Sequence, residues 1–122
     1  MISFVSNLST YARAFNSSFL IVPQNGEALA EDPAYLAVID GIGREDLLYG
    51  DYVKQASKDT DYANQFLRIM RESGKFVLEV EYTTNSSVIA ECYHFAQDQG
   101  YLCYVGPREL DQIQINQGFE PD

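Results

Sequence analysis

Hydrophobic residues along the chain follow two alternating patterns, one typical of helices and one typical of strands. Helical spacing occurs in residues 1–15, from Asp59 or Thr60 to Gly74, and from the "TTNSS" segment to Gly100. Continuous apolar runs typical of buried strands occupy residues 19–23, 35–39, 76–82 and 101–105. A turn and a short helical turn fit between the first two strands. The alternation predicts one α/β domain over residues 1–122, with residues 114–122 as a C-terminal tail.

Strands that alternate with helices indicate a parallel sheet with right-handed crossovers. Ligands of such sheets bind at the carboxyl ends of the strands, and polar residues follow each predicted strand there. These candidate binding residues are Gln24, Asn25, Asp40, Glu45, Tyr49, Glu81, Tyr82 and Arg108. The sequence therefore predicts a site at the carboxyl edge of the sheet.

The strand at residues 76–82 carries charge where a buried strand is normally apolar. Period-2 alternation places Val77, Glu79 and Glu81 on one face and Phe76 on the other. A carboxylate is costly to bury without a partner, so either this face is wet or a cation or donor meets Glu79 there.

Net charge favours some partners over others. Eighteen acidic residues against eight basic ones leave a formal charge of -10. Such a surface repels nucleic-acid phosphates and anionic lipids, so we expect neither as a partner. It favours a cationic ligand, although the same acidity also serves solubility. No apolar run is long enough for a membrane helix, and residues 1–15 do not resemble a signal peptide.

Several kinds of active site are disfavoured by the residues present. The "GIGRED" segment lacks the third glycine of a dinucleotide fingerprint, and no long helix is predicted directly after it. The single histidine, His94, is predicted to face solvent, which argues against Ser-His and Cys-His nucleophiles. Cys92 and Cys103 are expected to be free buried thiols. We expect no cofactor and no metal.

The remaining carboxylates, amides and tyrosines suit sugar chemistry, because glycoside hydrolysis uses a pair of carboxyl groups. Each candidate also has a structural alternative. Glu45 is either catalytic or solvated, and Arg44 and Asp46 fit an ion pair and a turn. The other candidates could hold turns or strand ends or pack in the core: Gln24, Asn25, Asp40, Tyr49, Tyr82 and Arg108.

Four segments resemble glycoside hydrolase family 114, the endo-α-1,4-polygalactosaminidase-like family: "FLIVPQNGEAL", "IDGIGREDLLYG", "GKFVLEVEYT" and "GYLCYVGPRELD". The resemblance covers roughly residues 1–113 and implies the second half of a (β/α)8 barrel, strands five to eight. It implies that Glu45 is a catalytic carboxylate and that Gln24, Asn25, Glu81 and Tyr82 line the sugar site. It also implies a galactosamine-containing polysaccharide as substrate and an extracellular location.

The chain departs from the family in one respect that affects function. The family's partner aspartate lies in a "DGVxLD" element, which no segment of this chain matches. A half-barrel would also leave a bare apolar face and open edge strands. We therefore expect a partial glycoside hydrolase, inactive alone, that pairs with a complementary half or forms a homodimer. The alternative is a non-catalytic carbohydrate-binding or self-assembling half-barrel.

Overall fold

Three parallel strands covered by helices form the protein, which a computed structural model describes for residues 1–121. The helices are α1 (Ile2–Phe15), a 3₁₀ helix (Glu27–Glu31), α2 (Pro33–Leu36), α3 (Ser57–Glu72) and α4 (Ser86–Gln99). The strands are β1 (Gly41–Glu45), β2 (Tyr49–Gly50), β3 (Val53–Lys54), β4 (Phe76–Tyr82) and β5 (Leu102–Gly106). The sheet order is β1-β4-β5, and β2 and β3 form a separate antiparallel pair. The α/β class with a parallel sheet is confirmed.

All the helices pack against the same face of the sheet. Alternate strand residues, Ile42 in β1, Val77 in β4 and Val105 in β5, point to that face and are almost fully buried. Helix α3 contributes Leu67 and Met70 to the same core. The helices cover this face because period-2 alternation presents one set of apolar side chains to them.

The opposite face of the sheet is largely open. Leu78 of β4 is 36% exposed, and its neighbour in the ladder, Leu102 of β5, is 63% exposed. Val80 and Tyr104 continue this face and are half-buried. The sheet thus has one covered face and one open apolar face, which are named so below.

The predicted strand at residues 35–39 is wrong. Asp32 accepts a hydrogen bond from Ala34 N at 2.8 Å, and Pro33 occupies the first helical position, so a short helix, α2, begins there. Tyr35 of α2 is buried, and Ile39, which follows the helix, is buried in the same core. The strand itself begins later, at Gly41.

Two glycines that resemble a turn in the sequence instead lie in the strand β1. A Cβ at Gly41 would lie 2.3 Å from the ring of Phe76, and one at Gly43 would lie 2.1 Å from Gln24 Oε1. Neighbouring side chains therefore occupy the space that a side chain of β1 would fill, which explains glycine at these positions.

The segment of residues 19–23, predicted as the first strand, runs beside β1. Backbone hydrogen bonds join Asp40 N to Ile21 O (2.9 Å) and Gly43 N to Pro23 O (2.8 Å). A parallel bridge between Gln24 and Gly43 is the sole ladder element there. The segment is extended and correctly placed, but it is not a regular strand.

Three helix predictions agree with the structure. Helix α1 spans nearly all of residues 1–15, and α3 begins at Ser57, two residues before Asp59. Helix α4 begins after the Asn85 cap and ends at Gln99, before the Gly100 cap. Within residues 1–121, no helix is long and apolar enough to cross a membrane.

The predicted C-terminal tail is packed against the domain. Asn116 is buried and donates from Nδ2 to Val105 O at 2.8 Å, and Phe119 stacks on Tyr93 at 4.4 Å between ring centroids. Residue 122, the last of the predicted tail, lies outside the described residues.

The two faces make a stability prediction. Replacing buried Ile42 by Ala (Ile42→Ala) should lower the free energy of unfolding by about 2–5 kcal/mol, because a cavity forms in the covered face. In the monomer, Leu102→Ala on the open face should change it by less than about 0.5 kcal/mol. Urea unfolding followed by circular dichroism measures both, and equal losses would contradict this assignment of the faces.

Candidate functional site

The carboxyl edge of the sheet brings together five of the predicted site residues. Glu45 ends β1, Tyr82 ends β4, and Arg108 follows β5 by two residues. Gln24 and Asn25 reach the same edge through the bridge to Gly43 and a hydrogen bond from Asn25 N to Gly43 O at 2.7 Å. Because parallel strands end at one edge, residues distant in sequence meet there.

Glu45 is held in place by hydrogen bonds to both of its oxygens. Tyr82 donates from its hydroxyl to Oε2 at 2.8 Å, and Asn25 donates from Nδ2 to Oε1 at 3.5 Å. The Glu45 backbone N–H also donates to Asn25 Oδ1, at 3.4 Å. Glu45 shares the open face with its ladder partner Val80, so the carboxylate lies where the open face meets the edge.

These contacts favour the ionised form of Glu45. The hydrogen bond from Tyr82 is the main influence that lowers the pKa of Glu45, and Asn25, Arg108 and Arg44 act in the same direction. Burial and the bond to Glu45 in turn raise the pKa of Tyr82 to about 12, so its hydroxyl remains a donor at neutral pH. At neutral pH Glu45 is therefore a carboxylate.

Arg108 links the loops that follow β1 and β5. Its guanidinium lies 4.8 Å from the centroid of the Tyr82 ring. Nη1 lies 3.4 Å from Asp46 Oδ2, and Nη2 lies 3.7 Å from Asp51 Oδ1. The cation therefore covers Tyr82 and connects it to Asp46, which follows Glu45, and to Asp51 in the turn between β2 and β3.

Arg44 and Gln24 support the Asn25 turn from opposite faces of β1. Arg44 donates from Nη1 to Asn25 Oδ1 at 3.3 Å, and its Nε lies 3.9 Å from Glu27 Oε1. Gln24 lies over Gly43 on the open face. Asn25 itself has a φ of 57°, a left-handed conformation that asparagine tolerates well.

Glu81 lies beneath the edge and does not reach solvent. It is fully buried on the covered face, where Oε1 accepts from Leu48 N at 2.7 Å and Oε2 accepts from Tyr49 N at 3.1 Å. In this structure Glu81 positions the loop after β1, a role different from the predicted sugar contact.

Tyr49 is also largely buried, and its hydroxyl donates to Glu91 Oε2 at 2.5 Å. Glu91 pairs in addition with Lys54 of β3. The bond to Glu91 is the main cause that raises the pKa of Tyr49 to about 12. Sequence reasoning missed Glu91 and Lys54, because a glutamate on α4 and a lysine on a two-residue strand carry no motif.

Asp40 lies at the amino end of β1, opposite the carboxyl edge at which Glu45 lies. It precedes β1, and at about 3.3 Å per residue it is roughly 16 Å from Glu45 along the strand. Its Oδ2 accepts from Arg13 Nη2 and from Ile21 N, both at 2.7 Å. Asp40 thus anchors α1 and the segment beside β1. Its predicted place at the carboxyl edge depended on the misplaced strand.

Cys92 and Cys103 are free and His94 is exposed, as predicted. Cys92 is buried as expected, whereas Cys103 is only half-buried. Within residues 1–121, no cluster of three or more histidine, cysteine or acidic side chains could hold a metal ion. The edge therefore presents one oriented carboxylate, an amide pair and an arginine, which can hydrogen-bond hydroxyl groups or attract a cation.

Comparison with known proteins identifies relatives without a stated activity. No family model matches the chain. It is 34% identical to an uncharacterized protein of Deinococcus radiodurans over 96% of this chain and 38% of that protein. It is 34% identical to an uncharacterized protein of Methanocaldococcus jannaschii over 93% of this chain and 36% of that protein. A third match, 29% identical over 99% of this chain, covers 41% of an uncharacterized Thermotoga maritima protein. The chain thus spans about two fifths of the relatives it matches.

The contact between Tyr82 and Glu45 makes a pKa prediction. Tyr82→Phe removes the donated hydrogen bond, so the pKa of Glu45 should rise toward its ordinary value of 4.5. The lowered pKa of Glu45 contributes to stability above pH 4.5, and this contribution is lost as pH falls through the pKa of the folded state. The difference in free energy of unfolding between wild type and Tyr82→Phe should therefore become smaller in acid. NMR titration of the side-chain carboxyl carbon measures the shift.

Tyr104→Phe is the matched control for this titration. The Tyr104 hydroxyl contacts Gln112 O and Gln114 N on the same open side, and neither group belongs to the site. The Glu45 titration should not change in this variant. An equal shift in both variants would show that the Tyr82 hydroxyl is not the cause.

Proposed function

We propose that this chain is half of a (β/α)8 barrel and carries half of a sugar-binding groove that includes Glu45. The order of the sheet supports the half-barrel: the segment beside β1, then β1, β4 and β5, follows chain order without reversal. The helices also cover one face only, as they do outside a barrel, whereas a doubly wound sheet has helices on both faces.

The observation that carries the proposed chemistry is the oriented, ionised carboxylate of Glu45. It lies at the carboxyl edge on the open face, which becomes the lumen side when a sheet closes into a barrel. In glycoside hydrolysis one carboxylic acid protonates the leaving oxygen, and a carboxylate attacks the sugar carbon or activates water. Glu45 fits the second role, because Tyr82 and Asn25 stabilise its charged form.

Within the described residues, the carboxylate next to Glu45 is not free to complete the pair. The adjacent carboxylate, Asp46, is held by Arg108, and its Oδ1 is buried without a hydrogen bond. We therefore propose that the acid comes from another segment or chain and that this chain alone binds sugar without cleaving it. The net charge of -10 supports a partly cationic, galactosamine-containing polymer as the ligand.

Exposed apolar surface supports a partner for the half-barrel. Leu78 and Leu102 on the open face lack cover, and α1 presents an exposed stripe at helical spacing, formed by Phe4, Leu8, Tyr11 and Phe15. The relatives are more than twice as long as the matched region, so in those proteins the remaining residues are numerous enough to form a complementary half. A second copy of this chain is the other proposed partner.

A non-catalytic sugar-binding or self-assembling module is the alternative. The position of Asp46 favours it, since the neighbouring acid is engaged by Arg108. The two functions differ in what completion of the barrel does. A catalytic half gains hydrolysis when the missing acid arrives, whereas a binding module does not.

Sugar binding and hydrolysis are tested with Glu45→Gln. The wild-type chain should bind partly deacetylated galactosamine polymer in calorimetry and release no reducing ends. Glu45→Gln should weaken binding, because the carboxylate no longer meets the cationic sugar. Glu109→Gln, which removes the same charge from an exposed residue at this edge, should bind as wild type does.

Hydrolysis is tested in a chimera in which this chain replaces the matched region of the Deinococcus relative. The chimera should release reducing ends, and Glu45→Gln should lower the rate by about 10²–10⁴-fold. Release that survives this substitution would exclude a catalytic role for Glu45. Binding that depends on Glu45, with no release by a folded chimera, would favour the non-catalytic module.

Pairing through the open face predicts a concentration-dependent dimer of twice 13.8 kDa. Light scattering at micromolar concentration should detect it, and Leu102→Glu should abolish it by placing a charge in the apolar contact. Val53→Glu is the control, because Val53 is similarly exposed but lies on the β2–β3 hairpin. A monomeric wild type would exclude the homodimer.

A further inference from the structure

The covered face of β4 buries two carboxyl groups side by side. Glu79 is 1% exposed and Glu81 is 0% exposed, and both point to the same face as Val77. Their ladder neighbours on β5 are Cys103 and Val105. Two acids thus lie on a face whose other strand residues, apart from Arg44 of β1, are apolar.

The two carboxyl groups differ in their hydrogen bonds. Glu81 accepts from the backbone N–H groups of Leu48 and Tyr49, whereas both oxygens of Glu79 accept no hydrogen bond from other residues. Neither forms an ion pair within residues 1–121. Arg44 is the ladder partner of Glu79, yet its guanidinium contacts Asn25 and lies near Glu27 instead.

Within residues 1–121, no cation lies within ion-pair distance of either carboxyl group. Helix α3 presents apolar side chains to this core, including Leu67 and Met70. The titratable groups influenced by the pair are Cys92 of α4, Cys103 of β5, Tyr101 before β5 and Tyr49 of β2, and all are neutral when protonated. The cations of the adjoining elements, Arg44 of β1 and Arg68 and Arg71 of α3, bond to Asn25, Gln99 and Gly100 instead. Ionisation of both Glu79 and Glu81 in such surroundings would cost free energy, because no positive charge in the described part of the chain offsets their desolvation or their mutual repulsion.

We propose that Glu79 and Glu81 share one proton in the folded protein, and that loss of this proton releases residues 46–50, the loop after β1 together with β2. Glu79 holds the proton and donates a hydrogen bond to the Glu81 carboxylate. The oxygens of Glu81 also accept hydrogen bonds from the backbone N–H groups of Leu48 and Tyr49. Deprotonation of Glu79 replaces this hydrogen bond by repulsion between two buried charges. Movement of Glu81 toward water relieves the repulsion and breaks its bonds to Leu48 and Tyr49.

The electrostatic environment agrees with this assignment. Burial and the neighbouring Glu81 raise the pKa of Glu79 to about 9. Burial raises the pKa of Glu81 as well, but the amides of Leu48 and Tyr49 act in the opposite direction and favour its charge. The proton of the pair therefore belongs on Glu79.

The sign of the pH effect follows from proton linkage. Between the ordinary pKa of 4.5 and about 9, the folded state retains a proton that the unfolded state has lost. Stability is therefore highest below pH 4.5 with respect to this group and declines as pH rises toward 9. One retained proton corresponds to about a tenfold fall in the folding equilibrium constant per pH unit.

Glu79→Gln tests the shared proton and the loop together. Glutamine has the shape of protonated glutamate and can donate to Glu81 at every pH, so the variant should lack the tenfold decline per pH unit between pH 5 and 9. Hydrogen exchange by NMR should show that the Leu48 and Tyr49 amides lose protection above pH 9 in wild type, after correction for intrinsic rates. These amides should stay protected in Glu79→Gln. Glu72→Gln, an exposed substitution on α3, is the control and should behave as wild type does.

A direct titration keeps the test decisive if the variant does not fold. In wild type labelled with ¹³C-glutamate, the Glu79 carboxyl carbon should titrate well above pH 7. Titration near pH 4.5, or pH profiles that are the same in wild type and Glu79→Gln, would overturn the shared proton. A high titration without loss of Leu48 and Tyr49 protection would overturn the coupling to the loop. These readouts use no sugar, so they are independent of the proposed glycoside chemistry.

Discussion

The one-sided covering of the sheet is the constraint on which the rest of this structure depends. Each strand alternates its side chains, and Ile42, Val77 and Val105 direct the helices to a single face. The other face, with Leu78 and Leu102, stays open. Glu45 belongs to the open face, so its carboxylate meets the edge instead of the helical core. A sheet covered on both faces would have enclosed it.

The positions of the side chains at the carboxyl edge are fixed by polar contacts between loops that are distant in sequence. Tyr82 and Asn25 orient Glu45, and Arg108 spans from the ring of Tyr82 to Asp46. Below them, Glu81 accepts hydrogen bonds from two backbone N–H groups that follow β1, those of Leu48 and Tyr49. A buried carboxylate with two N–H donors is a strong anchor, because these hydrogen bonds compensate for the loss of hydration. The exposed chemistry therefore rests on a buried acid that has no contact with solvent.

The local patterns predicted much of the fold and part of the site. Helices α1, α3 and α4 and strand β4 were predictable because periodicity and caps act over one or two turns. The "DP" capping signal before α2 was also present in the sequence, but the apolar run "YLAVI" outweighed it and misplaced the second strand. Because of that error, Asp40 was predicted at the carboxyl edge. It lies instead at the amino end of β1, where Arg13 holds it.

Sequence by itself determined the α/β alternation, the acidic charge and the set of polar residues after the strands, because each depends on neighbours in the chain. Tertiary structure alone decided that "GIGRE" is a strand, since Phe76 and Gln24 fill the space that side chains at its glycines would need. It also decided that the Glu79 and Glu81 face is the covered one. Alternation assigns residues to two faces, but only the packing of α3 and α4 determines which face is buried.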